Sequence, residues 1–379
     1  MTHSWIGDLG LGLCFLTMAY SVVAAVTVRT RDRVSPPPPM RLPRATVLKP
    51  LCGAEPETYE CLRSVCEQHY PDYEVIFGVC DAEDPVVAIA RRLQREFPAL
   101  RITLVINPRQ HGSNRKVSNL LNMMPSVTTD LLVLSDSDVR VPIDYLARVV
   151  APLSDDQVGI VTCAYRGRPR HGLWAVMCAL FINEWFLPSV CVAAAAGSRS
   201  FAFGASIAMR RQVLIRIGGF AAIANQLADD YRLGELTRQL GLRTVLSDLI
   251  VETSVTEQTL KELVRHELRW LRTIRALRPY EYLLCCITFG TPVAAVGAAL
   301  ADGVPAALAM LAVTATSRCI LHVRTRLDDA RAVGLLMLPF RDVLSLGLWL
   351  WSFATRRVRW RDDHYHVRRD GSVRLVARA

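Results

Sequence analysis

The chain has 379 residues, 51% of them hydrophobic, a mean hydropathy of +0.23 and a formal net charge of +10, room for one large domain or two ordinary ones and more apolar than a soluble fold needs. The positive charge does not point to nucleic acid: arginines beside apolar stretches carry much of it and no nucleic-acid motif or basic-aromatic repeat appears, so a bilayer with anionic lipid is the expected partner. Eleven cysteines scattered without a C-x-x-C pair indicate neither a zinc site nor a disulfide framework and read as reduced, packed thiols.

The first element is residues 5–28, an apolar stretch long enough to span a bilayer and followed at once by Arg29, Arg31 and Arg33. Positive charge after the apolar core predicts a retained anchor over 1–28, with its N-terminus outside and its arginine side in the cytosol. A Ser-Pro-Pro-Pro-Pro spacer stiffens the linker 29–43. A globular domain is expected over 44–277. Its strands are predicted over 45–51, 73–80, 102–106 and 130–134, with helices over 57–69, 87–97 and 117–124 between them. That alternation predicts an α/β domain on a mostly parallel sheet. Further strands are expected over 159–165 and 203–209. Between these two, residues 173–196 are apolar but carry Asn183, Glu184 and Pro188, which predicts a buried or membrane-surface helix pair in preference to a span. Another helix opens at Asp229 and Asp230.

A membrane region follows over 278–355. Residues 283–300 and 305–323 form a predicted hairpin over 283–323, entered past Arg269, Arg272, Arg275 and Arg278 and left past His322, Arg324, Arg326 and Arg331. Both ends therefore belong in the cytosol. Residues 335–353 are apolar too, yet Arg341 and Asp342 interrupt them, which favours a re-entrant or interfacial segment with a spanning helix as the alternative. Residues 356–379 read as a basic tail.

The run Leu-Val-Leu-Ser-Asp-Ser-Asp, 132–138, stops a buried strand at two carboxylates one residue apart. Strand side chains alternate, so Asp136 and Asp138 point the same way and can share a hard divalent cation, Mg2+ or Mn2+, able to grip a diphosphate. Strand ends are where open α/β sheets hold ligands. Each candidate has a plainer reading: a solvated turn for the D-x-D, a helix cap for Asp81, first-turn acids for Asp229 and Asp230, an interface anchor for Arg269-Trp270. Lys116 reads as a solvated or phosphate-facing lysine. Glu184, inside an apolar segment, is either paired or touches an acceptor headgroup.

Taken in order, Asp81, Asp136, Asp230 and the phrase His-Glu-Leu-Arg-Trp at 266–270 resemble the ceramide glucosyltransferase family, glycosyltransferase family 21, most of all its bacterial branch associated with hopanoid biosynthesis. The phrases Lys-Val-Ser-Asn-Leu at 116–120, Val-Thr-Cys-Ala-Tyr-Arg-Gly at 161–167 and the run 181–189 are similar to the same family. The resemblance implies a GT-A domain that binds a UDP-sugar and an inverting transfer of glucose or N-acetylglucosamine to a hydroxyl of a membrane lipid, of the ceramide (sphingolipid) or hopanoid type. It implies a bacterial inner membrane, with the catalytic domain on the cytosolic side. The resemblance assigns the base to Asp230; the chemistry of a departing diphosphate independently suggests a cation on Asp136 and Asp138, Asp81 facing uracil or ribose, Lys116 and Arg269 facing the diphosphate, and Trp270 stacking on the acceptor or closing the site. Two positions depart from the family pattern. His266, assigned to the acceptor side, replaces the usual Gln or Arg, and Asp138 stands where animal members have glycine, which restores a second metal ligand. Two rivals remain at this level: a processive polysaccharide synthase, for which three or four membrane segments are few, and an inactive membrane-tethered sugar-nucleotide or lipid-binding protein, against which the retained acids argue.

Overall fold

Ala45–Pro50 is buried on both faces and lies inside a sheet, with parallel partners on either side. The computed structural model describes residues 5–28, 42–325, 331–355, 357–360, 363–368 and 371–378, so positions 29–41 of the expected linker lie outside the described residues. In chain order the elements are α1 (Trp5–Thr27), β1 (Ala45–Pro50), α2 (Thr58–Cys66), β2 (Tyr73–Val79), α3 (Val86–Glu96), β3 (Arg101–Ile106), α4 (Arg115–Met123), β4 (Leu131–Leu134), β5 (Val139–Arg140), α5 (Tyr145–Val150), β6 (Val158–Pro169), α6 (Leu173–Phe181) and α7 (Leu187–Ala195). They continue with β7 (Ile207–Arg210), α8 (Arg211–Arg216), α9 (Asp229–Gln239), β8 (Arg243–Val255), α10 (Leu260–Leu277), α11 (Pro279–Leu284), α12 (Gly290–Leu300), α13 (Pro305–Thr325), α14 (Arg331–Ser352), β9 (Arg357–Trp360), β10 (Asp363–Val367) and β11 (Val373–Arg378).

The large sheet runs β3-β2-β1-β4-β7-β6-β8-β5. From β3 to β4 every pairing is parallel, and β7 enters antiparallel to both β4 and β6. The chain builds outward from β1 to β2 and β3, then returns to lay β4 on the other side of β1. The C-terminal ends of β1 and β4 therefore flank a topological switch point, the place where such sheets bind ligands. Alternation along β4 explains why it sits deep: Leu131 and Val133 face the layer of α2, α3 and α5, while Leu132 and Leu134 face the layer of α4, α8 and α9. Burying each side chain contributes roughly 1.5–3 kcal/mol. Together they fix the register that delivers Asp136.

Among the described residues, four helices are long and apolar enough to cross a membrane: Trp5–Thr27, Leu173–Ala195, Pro305–Thr325 and Gly334–Ser352. Three expectations change here. Residues 173–195 form one continuous rod, α6 and α7 joined by a π turn over Ile182–Phe186, and pass the same length test as the other three. The first limb of the expected hairpin is not straight: Pro279–Thr288 and Gly290–Leu300 meet at 80°. Phe289 is non-helical there, and Thr288 accepts from the Trp185 indole at 2.7 Å, which holds the corner. Residues 335–352 belong to one helix, long and apolar enough to be a candidate span. The charges that interrupt it are each paired inside the protein, Arg341 with Glu267 and Asp342 with Arg318. α1 packs closely on α12, where a Cβ on Gly10 would stand 2.5 Å from the Gly297 carbonyl. Small residues allow that approach.

The expected basic tail is instead a three-stranded antiparallel sheet, β11-β10-β9. Val358, Tyr365, Val367 and Val373 form its buried side and pack on Leu227, and the Tyr365 hydroxyl donates to the Ser113 carbonyl at 3.2 Å.

Candidate active site

The turn after β4 is held from below. Ser135 extends the pairing through its amide to the Leu48 carbonyl, and the ammonium of Lys49, wholly buried on β1, donates to the carbonyls of Asp136 and Val139, both at 2.8 Å. The Ser254 amide of β8 donates to the Asp138 carbonyl at 3.0 Å. Nothing in its local sequence marks Lys49 as more than a surface lysine near a strand end. The turn so fixed carries two carboxylates. Asp136 Oδ1 lies 2.5 Å from Lys116 Nζ, and Asp138 accepts from the Thr253 hydroxyl at 2.7 Å. Burial, with the neighbouring Asp136 charge added, raises the Asp138 carboxyl above the usual range. Two mutually repelling hard-oxygen donors are a set that a divalent cation fits.

Lys116 sits in the first turn of α4, where Asn114 caps the helix by accepting from the Val117 amide at 3.0 Å. Its ammonium also lies 3.5 Å from Asp229. Burial alone would lower its pKa, but the Asp136 and Asp229 charges outweigh it and hold the ammonium charged. Asp230 opens α9. Its carboxylate accepts from the amides of Tyr231 at 2.7 Å and Gly204 at 2.8 Å. Burial and the adjacent Asp229 charge push its pKa up to about 6, against the opposing pull of Lys116 and the two amides.

Gly204 is the point on which these groups converge. A Cβ placed there would stand 3.2 Å from Lys116 Nζ, 3.4 Å from Asp136 Oδ2 and 3.4 Å from Asp230 Oδ2. Three residues chosen from separate parts of the sequence thus share one small volume.

Arg269 and Trp270 come from α10, which starts with a full capping box of Thr259 and Glu262. Burial lowers the Arg269 pKa while the nearby Tyr165, Asp136, Glu257 and Asp138 act in the other direction. Trp270 stands edge-on to Tyr165 with ring centroids 6.1 Å apart, and also contacts Phe181 at 6.3 Å and Phe186 at 6.0 Å. His266 touches the Trp270 ring at 5.1 Å. Its Nδ1 is hydrogen-bonded to Glu257, with the Cys178 thiol 4.0 Å away. Glu257, nine residues upstream, was not legible as its partner.

Asp81 follows β2 and is exposed; among the described residues its carboxylate accepts a turn bond from the Glu83 amide at 3.0 Å. Asp84, ahead of α3, accepts from the Val86 amide at 2.9 Å and the Gly53 amide at 2.8 Å. Among the described residues no side chain caps α3, whose N-cap is Pro85. β1 alone separates β2 from β4, so Asp81 and Asp136 both follow C-terminal strand ends on the same edge of the sheet. Glu184 is not gathered into this group. Its side chain is 1% exposed and its two oxygens meet Arg318 at 2.6 Å and His322 at 2.5 Å, the paired arrangement of the two read from the sequence.

Against known proteins, the family model for glycosyl transferase family 21 matches residues 11–373. The chain belongs to glycosyl transferase family 21. Within it, ceramide glucosyltransferase 1 of Caenorhabditis elegans is 24% identical over 276 residues, 69% of this chain and 57% of the relative. The ceramide glucosyltransferase of Komagataella phaffii is 31% identical over 143 residues, 37% of this chain and 28% of the relative. This family 21 chain thus spans about half the length, or less, of the curated relatives it matches. Among solved structures it is similar to the mannosyltransferase PcManGT from Pyrobaculum calidifontis, in complex with GDP-Man and Mn2+, at a TM-score of 0.54 and 21% identity over 92% of this chain and 98% of that one. That likeness is one of fold, and it agrees with the GT-A type domain and membrane helices expected for family 21.

Proposed function

We propose that this family 21 protein is a membrane-bound inverting glycosyltransferase that moves glucose or N-acetylglucosamine from a UDP-sugar to a hydroxyl of a membrane lipid, of the ceramide or hopanoid type. The observation that carries the reading is the convergence of Lys116, Asp136 and Asp230 on Gly204 at the switch point of the sheet. One group there is a base with a raised pKa, and another is a cation poised over a carboxylate.

In this reading the uracil or ribose contacts Asp81, and the diphosphate lies over the ends of β1 and β4 between Lys116 and Arg269. A Mg2+ or Mn2+ ion held by Asp136 and Asp138 would supply positive charge to the departing diphosphate. The lipid hydroxyl enters from the side of Trp270 and its aromatic neighbours, with His266 behind that ring. An alcohol is too weak an acid to lose its proton unaided, so Asp230 takes it as the oxygen bonds to the anomeric carbon. The bond from that carbon to the UDP oxygen breaks on the opposite face, which inverts the configuration. Lys116 and Arg269 stabilise the charge that UDP carries away. The chain is placed with this domain on the cytosolic side of a bacterial inner membrane, in keeping with the arginines that flank its apolar segments.

The decisive experiment is a grid of purified protein with several UDP-sugars and several lipid acceptors, with and without chelator, read by mass spectrometry. The expected result is one glycolipid and an equivalent of UDP, both lost in chelator. Absence of product with every lipid would defeat the reading, and full activity in chelator would remove the metal from it.

A further inference from the structure

Arg341 is an arginine in the middle of α14, a helix apolar enough to cross a membrane, and it is among the most deeply buried large side chains in the protein. Its Nη2 lies 2.5 Å from Glu267 Oε2, with both side chains 1% exposed, and donates to Ser345 Oγ at 2.9 Å. Glu267 belongs to α10, two residues before Arg269 and three before Trp270. The guanidinium also lies 5.1 Å from the centroid of the Phe181 ring, the ring that touches Trp270 at 6.3 Å. One side chain of the membrane helix therefore meets both the backbone neighbourhood of Arg269-Trp270 and the wall on which Trp270 rests.

Stability does not explain this arrangement. A buried ion pair gains little over apolar side chains of the same volume, because desolvating two charges offsets their attraction. Here the fit is also incomplete, since Arg341 Nε and Nη1 and Glu267 Oε1 have no hydrogen-bond partner among the described residues. What such a pair does provide is register. Asp342, the next residue, engages Arg318 of α13 at 2.7 Å, and Arg318 reaches on to Glu184. Two successive charges on α14 thus point to different partners, one on α10 and one on α13. A helix pinned in two directions at one level can neither slide nor rotate without breaking a buried ion pair.

We propose that Glu267 and Arg341 are positioning residues for the transfer: α14 sets the height and rotation of α10, and so where Arg269 and Trp270 stand over the donor. The inference rests on the glycosyl-transfer reading above. It also accounts for the Arg-Asp pair that interrupts an apolar stretch.

The test removes the pair without leaving a lone buried charge. Glu267→Gln combined with Arg341→Met, made in the full chain in lipid nanodiscs, is compared with the parent for thermal unfolding, UDP affinity by calorimetry, and UDP release from the UDP-sugar that the parent uses. The expected result is a folded protein with UDP affinity within about three-fold of the parent and kcat reduced roughly ten- to hundred-fold, as for groups displaced by about an ångström. Should the double variant not fold, Arg341→Lys keeps the charge with a shorter reach, and a kcat lowered severalfold is expected of it. A folded variant of either kind with kcat within about two-fold of the parent overturns the positioning role and leaves the functional reading standing. A parent that turns over no UDP-sugar overturns both.

Discussion

Lys116 reaches from the first turn of α4 to the end of β4 and places its ammonium 2.5 Å from the Asp136 carboxylate. α4 packs over β1 and β2 while β4 lies on the other side of β1 in the sheet, so the contact bridges the crevice that the strand order opens. The pair is partly exposed, at 22% and 34% for the two side chains, and a half-open ion pair contributes little to stability. Its value lies in what it offers a ligand. Lys116→Met should leave thermal stability nearly unchanged and weaken UDP affinity roughly ten- to hundred-fold, the range for losing a hydrogen bond between charged groups. Calorimetry with UDP checks it, and unchanged affinity would show that Lys116 serves only its acidic neighbours.

Gly204 offers a cleaner separation of fold from function. Its backbone angle is not in the left-handed region, and the atoms nearest an added Cβ are the ends of Lys116, Asp136 and Asp230 side chains at 3.2 to 3.4 Å. Gly204→Ala should therefore fold normally, yet fill the space in which donor and base must meet. The expected outcome is an unfolding midpoint close to the parent's with kcat/KM down at least about ten-fold. Equal losses of stability and activity would mean that the methyl disturbs the backbone instead.

How far the sequence revealed this site depended on whether the signal was local. Asp136 was legible because an apolar run of strand length stops at it, and Asp81 and Asp230 because each sits at a strand end or helix start. Lys49 was not, since only the three-dimensional pairing of β1 with β4 sends its ammonium under the turn. β8 was missed as well. Arg243, Asp248 and Glu252 interrupt its alternation, although Thr253 at its end holds Asp138. In the last strands the alternation was present: Tyr365 and Val367 are buried while His366 is exposed, but the surrounding arginines hid it. The bend in the first limb of the hairpin was not legible either, because hydropathy counts apolar residues and does not register the corner at Phe289.

Glu184 tests the same distinction within the membrane helices. Both its oxygens are bound, to Arg318 and to His322, and Arg318 in turn holds Asp342. Removing its charge leaves Arg318 with Asp342 alone and deprives His322 of its carboxylate, a loss of buried charge-assisted hydrogen bonds that costs about 1–3 kcal/mol. Glu184→Gln should lower the unfolding midpoint by several degrees while the acceptor KM of the folded protein stays unchanged. A raised acceptor KM without loss of stability would return Glu184 to the acceptor site.

Asp230 carries the pH prediction. Its carboxyl is raised to about 6 by burial and by Asp229, with Lys116 pulling it down. A general base works only when deprotonated, so activity should be full above that pKa and be lost as pH falls through it. The expected profile is flat from about pH 7 upward, with kcat dropping toward ten-fold per unit below about pH 5.5. Asp230→Asn should lower kcat roughly 10²- to 10⁴-fold and abolish that limb. Lys116→Met shifts the limb instead of abolishing it: without the nearby ammonium the carboxyl binds its proton more tightly, so the fall begins at higher pH. A profile that stays flat through about pH 5 in the parent, or an unmoved limb in Lys116→Met, would take the base role away from Asp230.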